Sequence, residues 1–114
     1  MLETRLIDED WHRVCRTTEL GDEEVTQLWI GDTPLAVYCI HGEYYATSDI
    51  CSHHGANLSE GYIEDDMIEC PLHQGCYHIP TGEVRKGPAC EDLPTYPARV
   101  EDGWVFVQYA EDNE

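Results

Sequence analysis

Two short segments hold the residue types that bind metal. Cys51-Ser52-His53 and Cys70-Pro71-Leu72-His73 each place a thiol and an imidazole within a few residues, with sixteen residues (54–69) between them. Two soft sulfur ligands and two nitrogens suit zinc or an iron–sulfur centre. Zinc fingers usually present both cysteines first and both histidines afterwards, at wider spacing. One cysteine and one histidine from each of two loops suits a two-iron cluster instead. A module with structural zinc is the alternative, and metal analysis separates the two.

The remaining candidates carry less chemistry. Cys15, Cys39 and Cys90 read as small hydrophobes or plain loop thiols. Cys76 lies three residues past His73 and alternates with Tyr77 in an expected strand; it is read the same way, with a redox side reaction or a second disulfide as the alternative. His54 adjoins a candidate ligand and is read as shaping the loop or facing a partner, while His12, His41 and His78 are assigned no chemistry. The chain shows no open metal site, nucleophile–base pair or cofactor-binding glycine fingerprint. It is therefore expected to be no enzyme by itself.

These loops need a scaffold, and the composition describes one. The chain has 114 residues, 41% of them hydrophobic, with 24 acidic and 6 basic residues and a net charge of −18. That length suits one small domain over residues 1–114, with enough apolar residues for a core. The acidic balance disfavours nucleic acid, whose phosphates need Lys and Arg, and anionic membrane surfaces for the same reason. No apolar run approaches the roughly 20 residues of a membrane helix. The start, MLETRLIDEDWHRV, lacks the basic and apolar regions of a signal peptide, so a cytoplasmic location is expected. That location in turn argues against a framework of six disulfide-bonded cysteines.

Segments rich in Val, Ile, Tyr and Trp alternate with Gly, Pro, Asn and Asp, the pattern of an all-β domain. Strands are expected at Trp11–Cys15, Val25–Ile30, Leu35–Ile40, Glu43–Thr47, Tyr62–Glu64, Met67–Glu69, Cys76–Ile79, Ala98–Glu101 and Trp104–Gln108. His41-Gly42, Asp65-Asp66 and Asp102-Gly103 serve as hairpin turns, and Asn57–Gly61 as a short turn. The fold class is a small antiparallel sandwich or barrel, with residues 48–61 and 70–76 as two functional loops and the hairpin of Tyr62–Glu64 and Met67–Glu69 between them. That hairpin would return the chain so that the loops meet. Cys51 and Cys70 would then hold a buried iron, and His53 and His73 an outer one, the ligand pattern of a Rieske [2Fe–2S] cluster.

Here the chain resembles the Rieske-type ferredoxins of bacterial aromatic ring-hydroxylating oxygenase systems. The resemblance runs from about Trp11 to Val107. It rests on CSHHGANLSEG (51–61), ECPLHQGCY (69–77), TGEV (81–84) and GPACEDLPTYPARVEDGWVFV (87–107). It implies an all-β Rieske fold, a small antiparallel β-sandwich base with a cluster-binding subdomain (about residues 48–78) of two loops and a hairpin, and with it one Rieske-type [2Fe–2S] cluster and a one-electron carrier. The implied partners are a flavoprotein NAD(P)H-dependent ferredoxin reductase and a terminal dioxygenase; a diiron aromatic monooxygenase is the alternative recipient. Respiratory Rieske proteins add a disulfide between their cluster loops, at positions held here by Ala56 and Leu72. They also place a serine donor to the cluster where this chain has Gly75. Fewer donors disfavour the reduced state, so the potential is expected near the low end of the range, about −150 mV. Tyr77, at the place of a tyrosine that donates toward a cysteine sulfur, works in the opposite direction. The acidic run Glu64–Asp66, at the tip of the hairpin, is the first candidate for steering toward basic docking sites.

Overall fold

Eleven short strands follow one another in the computed structural model, which describes residues 10–50, 56–71, 75–86 and 91–109. They are β1 (Trp11–Arg16), β2 (Glu24–Ile30), β3 (Thr33–Ile40), β4 (Glu43–Ser48), β5 (Tyr62–Glu64) and β6 (Met67–Glu69), then β7 (Cys76–His78), β8 (Val84–Lys86), β9 (Thr95–Tyr96), β10 (Ala98–Glu101) and β11 (Trp104–Gln108). They form three antiparallel sheets with strand orders β1-β11-β10, β2-β3-β4-β9 and β5-β6-β7-β8. The described residues contain no α-helix, only 3-10 turns at Thr17–Glu19 and Leu58–Glu60. None of their helices is long and apolar enough to cross a membrane.

The turn residues explain the tight hairpins. His41 and Gly42 have φ of 51° and 82°, and Asp102 and Gly103 have 53° and 81°. Both pairs meet the positive-φ requirement of a two-residue loop whose twist matches its strands. Asp65 also adopts positive φ, at 59°. The β2–β3 hairpin at Gly31-Asp32 was not among the expected turns, although Gly31 has φ of 61°. The β5–β6 and β10–β11 strands fall on their expected residues.

The third sheet is larger than the expected hairpin and loops. Val84–Lys86 pairs with β7 as its outer strand, and Thr95–Tyr96 adds to β4 as the edge of the second sheet. At three and two residues, neither strand is long enough for alternation to show against its polar neighbours. β7 ends at His78, one residue short of expectation; the Ile79 N–H still donates in register to the Asp66 carbonyl at 2.8 Å, where β6 has given way to the turn at 65–66.

β3 forms the middle of the molecule. Its residues from Pro34 to Ile40 are all buried, and successive side chains point to opposite sides. Leu35, Val37 and Cys39 join Val105 and Val107 in one apolar cluster. Ala36, Tyr38 and Ile40 join Leu58, Ile68, Cys70, Tyr77 and Ile79 in the other. One strand thus anchors both the β base and the layer that carries the loops.

Candidate metal centre

The first loop leaves β4 through a narrow neck. Asp49 donates its N–H to the Pro34 carbonyl at 3.1 Å, and its own carbonyl accepts the Leu58 N–H at 2.7 Å. Ile50 and Asn57 form an isolated antiparallel bridge one step further out. The Asp49 side chain completes the closure. It is fully buried, and its Oδ1 accepts the Ser59 N–H at 2.6 Å. Oδ2 accepts the Gln27 amide at 2.7 Å and the Ser59 hydroxyl at 2.9 Å. A buried carboxylate is tolerated where donors surround it in this way.

The second loop has a different neck. Cys70 directly follows β6 and donates its N–H to the Gly75 carbonyl at 2.8 Å, one step beyond the Glu69–Cys76 pair that ends the β6–β7 ladder. The Cys70 side chain is fully buried in the cluster that holds Leu58, Ile68 and Tyr77. The two necks meet at Gly61. A Cβ on this residue would overlap the Glu69 carbonyl oxygen and press on that of Leu58. The turn that closes the first loop therefore lies directly on the end of β6 that opens the second.

Of the four expected ligands, Cys70 is described, and Cys51, His53 and His73 lie outside the described residues. His54, Leu72, Pro88 and Cys90 lie outside them as well. Among the described residues no three His, Cys, Asp or Glu side chains converge as a metal site. Gly75 and Tyr77, the two positions bearing on the potential, are both buried. Ala56 packs against the cluster containing Cys70.

Sequence reasoning missed the polar supports. Asp49 and Ser59 stand in polar stretches beside the first ligand motif, and nothing in their spacing links them to Gln27 in β2. Behind them Tyr38, fully buried, shares a hydrogen bond of 2.9 Å with the Thr47 hydroxyl, which itself donates to the Ser48 carbonyl. Burial pushes the Tyr38 phenol well up, and Asp49 and Tyr77 add to this against the opposing Thr47 hydrogen bond. It is a neutral partner for Thr47 at any working pH.

The other thiols and histidines have structural surroundings. Cys39 is buried and Cys15 half-buried in the base cluster; burial, then Glu19 and Cys39, push the Cys15 thiol up. His78 bridges two turns. Its Nε2 donates to Asp66 Oδ2 at 2.9 Å, and its Nδ1 shares a hydrogen bond of 2.8 Å with the Thr81 hydroxyl. Asp66, expected as a steering charge, is thereby tied into the fold.

Comparison with known proteins places this geometry. The model of the Rieske [2Fe-2S] domain matches residues 10–97. The chain is 45% identical over 99 residues to the 3-phenylpropionate/cinnamic acid dioxygenase ferredoxin subunit of Escherichia coli O139:H28, covering 85% of this chain and 92% of that one. It is 43% identical over 98 residues to the anthranilate 1,2-dioxygenase ferredoxin subunit of Burkholderia cepacia, covering 86% and 91%. A solved complex of reduced oxygenase and oxidized ferredoxin in carbazole 1,9a-dioxygenase contains a chain of the same shape. Its TM-score is 0.85 at 34% identity, covering 93% of this chain and 99% of that chain.

Proposed function

The chain belongs to the Rieske [2Fe–2S] family, among the ferredoxin components of aromatic ring-hydroxylating dioxygenase systems, and from that premise we propose its ligands and its partners. Cys51 and Cys70 hold the cluster through sulfur, and His53 and His73 hold it through one ring nitrogen each. When bound, the cluster takes up and releases one electron at a time. The observation that carries the ligand assignment is the place of Cys70: fully buried, at the neck of one loop, against the turn that closes the other.

The residues around it suit that donor set. Leu58, Ile68 and Tyr77 surround Cys70 with apolar surface and keep water from the sulfur, and position 75, buried, is a glycine and so offers no hydroxyl donor. Asp49 and Ser59 hold the neck of the loop that bears Cys51 and His53. Each histidine has a second ring nitrogen, which a partner's surface can meet.

As an electron carrier the protein turns over no substrate alone. We assign it a flavoprotein reductase as donor and a terminal oxygenase as acceptor, in the cytoplasm. The support is the naming of its relatives as components of dioxygenase systems and the oxygenase–ferredoxin complex of a structural neighbour.

Iron, sulfide and zinc content of the purified protein, with an EPR spectrum after dithionite reduction, tests the ligand assignment. Two irons, two sulfides and the low average g-value of a histidine-ligated cluster are expected, with loss of iron and signal in Cys70→Ser. Zinc with no reduced-state signal, or a Cys70→Ser variant that keeps the native spectrum, would overturn it.

A further inference from the structure

Among the described residues, the outer face of the β5-β6-β7-β8 sheet is lined by exposed and half-buried side chains. Register places Tyr62, Glu69 and Cys76 in one cross-strand row and Glu64, Met67 and His78 in another. Ile63, Ile68 and Tyr77 alternate with them and fill the inner face. On the outer face lies a shallow groove of about 220 Å³, lined by Tyr62, Glu64, Asp65, Met67, Glu69 and Cys76. Tyr62, 67% exposed, is the most exposed large hydrophobic residue described.

We propose that this groove is a docking site for a basic protein partner in electron transfer, with Tyr62 as its apolar anchor and Glu64, Asp65 and Glu69 as its charged rim. The proposal rests on the electron-carrier reading and adds the face and the chemistry of the partner. Exposed tyrosines make effective anchors because they bury a large, rigid area and lose little entropy. The rim selects the sign of the partner. Among the described residues that line the groove, every charged side chain is a carboxylate.

The arginines described are committed elsewhere. Arg13 and Arg16 stack over Trp104 at 4.3 and 4.5 Å, and Arg99 over Trp11 at 4.5 Å, all in the first sheet, while Arg85 pairs with Glu83. Asp66 is held by His78 and is left out of the rim. The groove is also continuous with the metal centre, since β6 runs directly into Cys70 and β7 starts directly after Gly75. A partner seated here lies along the two strands that bear the second loop.

The test is binding of the oxidised holoprotein to ferric cytochrome c, a lysine-rich basic protein, by calorimetry at low and high salt. Both proteins are oxidised, so the measurement reads docking alone. Iron content measured beforehand separates failure of the docking site from failure of the cluster assignment. Tyr62→Ser is expected to weaken binding about tenfold at low salt, the scale of one aromatic anchor. Glu64→Gln with Glu69→Gln is expected to weaken it more than Glu23→Gln with Asp32→Asn, which removes as many exposed charges elsewhere. Unchanged visible circular dichroism and melting temperature establish that the exposed substitutions leave the fold intact. Equal effects of the two charge pairs, or no effect of Tyr62→Ser, would overturn the proposal. So would a dimer in sedimentation that Tyr62→Ser dissolves, since the face would then belong to a second copy.

Discussion

At the neck of the first loop a single buried carboxylate gathers three donors from two distant parts of the chain, whereas the neck of the second is closed by one main-chain bond that continues the β6–β7 ladder. The first loop leaves from the end of β4 and returns through a 3-10 turn, so only the Leu58–Asp49 main-chain bond and the isolated Ile50–Asn57 bridge cross it, and the Asp49 side chain adds three bonds more. The second connects two strands already paired, so its ends are brought together by pairing alone. A neck held largely by one side chain can be loosened by one substitution. A neck closed by main chain can be disturbed only by changing what packs around it.

The largest effect is expected from Asp49→Ala. It empties a fully buried site and takes the acceptor from the Gln27 amide and both half-buried Ser59 donors, at a cost of about 3–4 kcal/mol. Urea unfolding of the holoprotein followed at the cluster absorption should show it, with iron lost before the β base melts. Asp49→Asn keeps one acceptor oxygen and is expected to lose about half as much. If Asp49→Ala is neutral, the two necks do not differ in the way described.

Gly61→Ala tests the point where the necks meet. The added Cβ must displace either the Glu69 carbonyl or the turn at 58–60, at about 2–3 kcal/mol. Both loops are expected to loosen together, seen as faster iron release to a chelator. Ser59→Ala removes the hydroxyl bond but leaves the main-chain N–H on Asp49, and about 1 kcal/mol is expected in the same unfolding measurement.

The second neck is expected to respond in potential rather than in stability. Gly75→Ser adds a hydroxyl donor and should raise the midpoint potential above the wild-type value, near the low end of the Rieske range at about −150 mV; Tyr77→Phe removes a donor and should lower it. Voltammetry on the three proteins checks both signs, and a clearly positive wild-type value would remove the basis of the comparison.

Much of this architecture was legible from residue order. Asp102-Gly103 and His41-Gly42 marked hairpins because few residue pairs accept positive φ at both positions. Tyr62–Glu64 and Met67–Glu69 showed alternation on each side of a turn. Val84–Lys86 and Thr95–Tyr96 did not, because two or three residues carry no period and their pairing partners lie elsewhere in the chain. The long apolar run of β3 read as a strand, but its burial on both sides follows from two separate layers closing over it. Asp66 looked like a free surface charge until His78, twelve residues later, was placed beside it.

The proposed donor set is read from residue order: two cysteine–histidine motifs, their separation and the turns that bracket them, because ligand type and local backbone freedom are properties of neighbouring residues. How the loops that carry it are held is a matter of packing. Asp49 reaches a glutamine 22 residues away and a serine 10 residues away, and Gly61 lets two loop necks touch. Such contacts depend on strand register and on which layers pack together, and these are set by burial of the whole chain rather than by any segment of it.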